Sequence, residues 1–318
     1  MQPNVLLMCK LVLLLLLLHN ISDKFGDPYL PFIGLIDGFR ELPGWYGGIQ
    51  HILFWISGAA LLLNIKVRTA ALGLGICVLM IMLGSKPLFQ NHVFIVSCIF
   101  LLAGLSRKED GPVLFQYQFA IIYFGAFLNK AMQLDWWTGD FLHTWLHLHL
   151  QNSFYETLSP LLPELWFASI VSALVMFLEL LLAVLFIVKR WNGLAISVAV
   201  VMHLSFLFLI RGPHFGYFTE DILLALLAFL HWPDKTIYLR LHKALQKPLK
   251  PLIPLINPDR QFEFEKHHPG SGRWMEIQLG EVRYFNTPAL AVFLKYHPFT
   301  YLSLFLGFKA MLFIAQIT

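Results

Sequence analysis

The chain has 318 residues, of which 58% are hydrophobic, 15% aromatic and 13% charged, with a formal net charge of +4; ordinary soluble domains carry roughly a quarter charged residues. That apolar excess exceeds what a soluble core can hide, and a mean hydropathy of +0.66 describes a polytopic membrane protein. It excludes a disordered chain, a collagen, a nucleic-acid-binding arm and a disulfide scaffold, since Cys9, Cys77 and Cys98 lie in apolar runs without CxxC or metal-type spacing.

A membrane-crossing helix needs about 20 mostly apolar residues, and eight stretches qualify, roughly 4–22, 48–65, 69–85, 91–106, 113–131, 165–188, 193–211 and 216–232. The first has the Leu-rich centre of a signal peptide, but Lys10 interrupts it and no small-x-small cleavage site follows, which favours an uncleaved helix. The loop 133–164 mixes Trp136, Trp137 and Trp145 with histidines and apolar residues, as a helix lying in the interface and capping the outer face does. Beyond Trp232-Pro233 a basic stretch broken by Pro248, Pro251, Pro254 and Pro258 reads as a linker. The alternation from Met275 to Phe285 around Gly280 reads as a short hairpin, and Tyr301 to Thr318, with Lys309 inside it, as an interfacial helix.

The expectation is therefore an all-α, multi-pass bundle of about eight transmembrane helices over 1–232, with a short C-terminal extension over 233–318. Placing the N-terminus in the cytoplasm gathers Lys66, Arg68, Arg107, Lys108, Lys189, Arg190 and the Lys235–Lys250 cluster on one side, leaving Lys24, Arg40, Lys86 and Arg211 opposite. That asymmetry puts both termini in the cytoplasm.

Ionisable residues inside such helices face the bundle interior and mark candidate sites. They are His51, His92, Lys130, Glu179, His203, Glu220 and Asp221. Asn91-His92 opens the fourth helix and Asn129-Lys130 ends the fifth, so an imidazole and an amine reach one membrane depth. An amine in an apolar pocket loses its charged form and can act as a base. A lysine near a helix end also suits a stem that snorkels to the headgroups, and Glu179 suits an interhelical hydrogen bond. His143 and His147 share a helix face at i, i+4, but no third ligand accompanies them, and no metal is expected.

The stretch from Ile122 to Asn129-Lys130 with Asp135-Trp136-Trp137-Thr138-Gly139 resembles the vitamin K-dependent gamma-carboxylase family, whose bacterial members are the horizontally transferred transmembrane (HTTM) domains. Asn91-His92, Leu178-Glu179-Leu180 and the helix with His203 follow the same order, over about 40–232. The resemblance implies Lys130 as the base that deprotonates a reduced vitamin K or menaquinone, which reacts with oxygen toward an epoxide. It implies His92 as the hydrogen-bond donor to the developing charge, with Asn91, Glu179, His203 and Trp136 about the cofactor. The lumenal carboxylase domain of that family has no counterpart, so the acceptor, protein or small molecule, is open. The implied setting is a lipid bilayer, a bacterial inner membrane rather than the endoplasmic reticulum, with quinone as partner and no nucleic acid. A non-catalytic scaffold working through partners and a quinone-linked electron-transfer subunit resembling small DoxX-type proteins are the alternatives.

Overall fold

The computed structural model describes residues 1–25, 44–107, 112–209, 213–233, 236–249, 262–265, 269 and 272–317. Arg40, Lys108, Arg211, Lys235, Lys250 and the prolines 251, 254 and 258, which entered the charge and linker readings, lie outside these residues. The described chain divides into two units, Met1–Leu230 and His231–Thr318.

In the first unit helices occupy all eight apolar stretches: α1 (Pro3–Leu18), α2 (Gly44–Leu62), α3 (Val67–Gly84), α4 (Asn91–Leu105), α5 (Val113–Ala131), then α9 (Trp166–Ile187), α10 (Asn192–Leu209) and α11 (Pro213–Ala225). Between α5 and α9 run the short helices α6 (Leu134–Thr138), α7 (Asp140–His143) and α8 (Ser153–Leu158), with a π-type turn over Thr144–His149. Among the described residues three helical stretches, Val67–Gly84, Trp166–Ile187 and Lys189–Leu207, are long and apolar enough to cross a membrane by themselves; Pro3–Leu18 and Asn91–Leu105 are apolar but shorter.

α1 is apolar apart from Asn4 and Lys10, and Met8, Val12 and Leu13 are almost completely covered, as expected of a helix surrounded by others. Asn4 near its start donates from Nδ2 to the carbonyls of Leu227, Ala228 and Leu230 at 2.9–3.2 Å, satisfying carbonyls freed where α11 loosens into a 3₁₀ turn over Leu226–Phe229. α3 packs closely on α4 because small residues sit at the crossing. A Cβ on Gly75 would lie 2.7 Å from Leu101, and one on Gly104 2.5 Å from Leu72. The absent side chains let the backbones approach, and Ser97 Oγ donates to Gly75 O at 3.2 Å.

The loop expected to cap the bundle forms its own small core, with Leu142, Leu146 and Tyr155 packed on Ala168 of α9. Asn152 caps α8 by accepting from Tyr155 N at 2.9 Å.

The second unit corrects the all-α expectation. It holds a four-stranded sheet in the order β2-β1-β3-β4, with β1 (Ile237–Leu241), β2 (Phe262–Phe264), β3 (Met275–Leu279) and β4 (Val282–Phe285). The expected hairpin is β3–β4, turning at Gly280 with φ +63°. The unexpected strand is β1, inside the stretch read as a linker. Ile237, Leu239 and Leu241 are buried while Tyr238 and Arg240 are less so, the period-2 pattern of a strand covered on one face. β1 pairs in parallel with β2 and antiparallel with β3. Arg240 donates to Glu265 and to the buried Glu276, both at 2.6 Å, which neutralises a carboxylate that burial would otherwise strand. α12 (Lys243–Leu249) follows β1, and α13 (Thr287–Tyr296) and α14 (Pro298–Ile317) close the chain. The last two meet at a 72° bend and together are apolar and long enough for one broken span, where the sequence suggested an interfacial helix.

Candidate functional site

α5 and α9 lie side by side and antiparallel. On α5, Tyr123 and Lys130 are seven residues apart and so share a face about two turns apart. On α9, Glu179 and Phe186 have the same spacing. The two faces meet in register: Lys130 Nζ donates to Glu179 Oε1 at 2.7 Å, and the Tyr123 ring stacks parallel to Phe186 at 5.9 Å with an interplanar angle of 3°. Lys130 also reaches back to the Ala126 carbonyl at 3.4 Å, a second acceptor for the amine.

The pair is largely removed from water, with side-chain exposures of 18% for Lys130 and 8% for Glu179. The Trp136 ring covers the amine at 5.2 Å and itself stacks on Phe141 at 4.7 Å. Desolvation strengthens both the ion pair and the cation–π contact. Trp136 is held over the amine by the turn that follows. Gly139 has φ +83°, and a Cβ there would meet Ser169 N of α9 at 2.5 Å, so both its conformation and its surroundings require glycine. Ser169 Oγ donates to the Thr138 carbonyl, tying the turn to the helix that carries Glu179.

About two turns along α5 from this pair the Tyr123 hydroxyl and His203 Nε2 are hydrogen-bonded at 2.9 Å, both buried. Phe119, Phe186 and Phe229 form a wall of rings 4.9–5.4 Å apart beside it. Within these apolar surroundings Glu179 Oε2, His203 Nδ1 and Ser172 Oγ are buried without a hydrogen-bond partner. Buried polar atoms are nearly always paired, so the free Glu179 Oε2 leaves the ion pair with one unmet acceptor.

Of the residues the sequence singled out, Lys130, Glu179 and Trp136 come together, and His203 joins them through Tyr123. His92 contacts a different cluster. Its ring lies 5.8 Å from Tyr217, which also stands 3.9 Å from His19, and His19 Nε2 is 3.4 Å from Glu220 Oε2. Asn91 is the exposed first residue of α4. Asp221, expected on polarity alone, is buried beside Glu220, and His51 packs edge-on against Phe25. The outer histidines are engaged locally: His143 Nδ1 with the Tyr155 hydroxyl at 2.7 Å, and His147 with Glu156. Among the described residues, no three His, Cys, Asp or Glu side chains are grouped as a metal would require. Sequence reasoning missed Tyr123, Gly139 and Ser169 as parts of the site; the seven-residue spacing to Lys130 was the available signal for the first, and the Trp-Thr-Gly turn for the second.

Residues 112–232 match the HTTM domain family. The match contains Lys130, Trp136, Gly139, Glu179 and His203 and begins after Asn91-His92. No curated protein and no solved structure matches the chain.

Proposed function

We propose that this HTTM-domain protein is a multi-pass membrane enzyme in which the Lys130–Glu179 pair takes a proton from the hydroxyl of a lipid-soluble hydroquinone. The observation that carries the reading is the 2.7 Å pair with one carboxylate oxygen left unmet, in an aromatic surround. A single proton shift across that contact interconverts the ammonium–carboxylate and amine–acid forms without creating net charge, so the amine can be presented neutral in a medium that disfavours isolated ions. Lys130 then accepts the single proton of the ligand hydroxyl, and the ammonium so formed pairs with the hydroquinone anion left behind, while Trp136 screens the amine from water. A bound hydroquinone would supply an electron-rich ring whose deprotonation primes it toward oxygen.

The same reading gives His203, through Tyr123, the placing of the ring, and it makes no use of His92, whose ring contact is with Tyr217, or of Asn91, exposed at the start of α4. It carries eight crossings, both termini cytoplasmic, in a bacterial inner membrane, and an acceptor that is a protein or a small molecule.

The test is direct. Protein purified in detergent is given reduced menaquinone or vitamin K hydroquinone with oxygen, and epoxide is sought by mass spectrometry in wild type and Lys130→Ala. Epoxide from wild type alone is expected; none from wild type, or equal amounts from both, overturns the assignment.

A further inference from the structure

The second unit carries a feature outside the segment matched to HTTM. His297 is the single residue between α13 and α14, at their 72° bend. Its backbone N–H donates to Phe293 O at 2.9 Å and its carbonyl accepts from Thr300 N at 3.0 Å, so the break is held locally. Its ring is held as well: Phe299 N–H donates to His297 Nδ1 at 3.2 Å.

A ring nitrogen that accepts a hydrogen bond carries no proton, so the imidazole is neutral with its proton on Nε2. That Nε2–H is buried and unpartnered, in a residue only 1% exposed. The ring stacks on Phe293 at 4.5 Å and lies 5.1 Å from Phe262. Against it lies a cavity of about 380 Å³ bordered by Phe293, Leu294, His297, Phe299, Ser303 and Leu304. That volume is within the roughly 300–1,000 Å³ of small-molecule sites, which characteristically combine apolar walls with a few fixed polar groups. No side chain bordering it carries a full charge. The rim is apolar and outward-facing, with Leu294, Phe299 and Leu304 46%, 50% and 65% exposed, as residues bordering hydrocarbon rather than water are.

We propose that this cavity binds an uncharged, bilayer-soluble molecule through a carbonyl oxygen, which accepts from His297 Nε2–H while Phe293 and Phe299 pack on its apolar body. The Nε2 atom is itself covered, so the carbonyl reaches it by wedging in from the cavity, and the half-exposed rim side chains have room to yield. Broken apolar helices place sites at their breaks for this reason: the interruption exposes polar groups at a depth where only a ligand or protein can meet them. Isoprenoid quinones and glycerolipid esters share the chemistry. The site is independent of the reading of Lys130.

The experiment uses the full-length protein in lipid nanodiscs with two photoactivatable probes, a diazirine-bearing ubiquinone analogue and a diazirine-acyl phosphatidylcholine, and maps adducts by mass spectrometry. Adducts on residues 293–304 are expected from at least one probe. Labelling by the first alone identifies a quinone, by the second alone a glycerolipid, and by both a site selective only for the carbonyl; each supports the proposal. His297→Phe keeps a ring but removes the donor and should lower the labelling about fivefold, the worth of one neutral hydrogen bond. Ser303→Trp fills the cavity from its exposed side, leaves His297 intact, and should abolish labelling. Absence of adducts on 293–304 from both probes overturns the proposal, as does labelling that neither substitution lowers. Labelling lost in Ser303→Trp and unchanged in His297→Phe overturns carbonyl recognition.

Discussion

The Lys130–Glu179 pair can be taken apart so that its structural and chemical roles separate. Lys130→Met keeps most of the stem and removes the amine. Glu179, 8% exposed, then has neither oxygen engaged, since Oε2 already lacks a partner. Removing one member of a buried pair costs about 3–5 kcal/mol. The lower figure applies here because the 18% exposure of Lys130 lets some solvent reach the stranded carboxylate. A loss of about 3 kcal/mol in a unit of this size moves the melting midpoint on the order of 6–12 °C. Lys130→Met combined with Glu179→Leu removes both charges and should recover the midpoint to within a few degrees, because an apolar pair of similar volume replaces a buried ion pair at little net change. The coupling is read from a double-mutant cycle of thermal melts in one detergent, with hydroquinone turnover measured on the same samples. Turnover should be absent from both variants, so that stability returns and activity does not. A Lys130→Met protein melting within a degree or two of wild type refutes the buried pair, and turnover by the stable double variant refutes the base.

Three further outcomes follow from the geometry. Gly139→Ala forces a Cβ onto a residue at φ +83° and against Ser169 N; about 1–2 kcal/mol of backbone strain is expected, with a matching fall in the melting midpoint and reduced turnover as Trp136 shifts off the amine. Asn4→Leu removes the side-chain donor to the carbonyls of Leu227, Ala228 and Leu230, with Leu227 O keeping only the Leu230 N–H, a loss of about 1–3 kcal/mol, visible as a lower melting midpoint and faster proteolysis near 226–233. Burial, with the Glu156 carboxylate adding to it, raises the Tyr155 hydroxyl above its usual titration range. The folded state therefore holds this proton more tightly than the unfolded chain, so its contribution is complete below about pH 10, where the free phenol titrates, and is lost as pH rises through the folded value. Melting midpoints of wild type and Tyr155→Phe should converge as pH rises above 10, and parallel alkaline limbs would count against it.

How much of this was legible in the chain depends on which interactions are local. Eight apolar runs became eight helices, since twenty-odd residues without strong breakers have to hydrogen-bond within themselves in an apolar medium; whether each crosses is a question of length and packing that composition alone does not decide. Strand β1 was hidden because Ile237 to Leu241 is only five residues long and its basic, proline-containing context resembled a linker, while its partners β2 and β3 lie over 20 residues further on. Propensity over five residues is weak, and pairing is long-range.

The site divides the same way. Lys130 and Glu179 were each conspicuous as charges in apolar helices, yet their union required the register of two helices separated by a 34-residue connection. That register is recoverable from a simple constraint. If Lys130 meets Glu179 across an antiparallel interface, then seven residues back on α5 must meet seven residues onward on α9, which pairs Tyr123 with Phe186, and these rings do stack. An aromatic at both positions is thus the local signature of a pairing that is otherwise long-range. The relation also explains why His92 stands elsewhere. It belongs to α4, and its ring contact is with Tyr217 of α11, so equal depth in the bundle did not bring it onto the face where α5 and α9 meet. Depth is set by position along a helix and can be read from the sequence; direction around the helix is set by which neighbour it packs against.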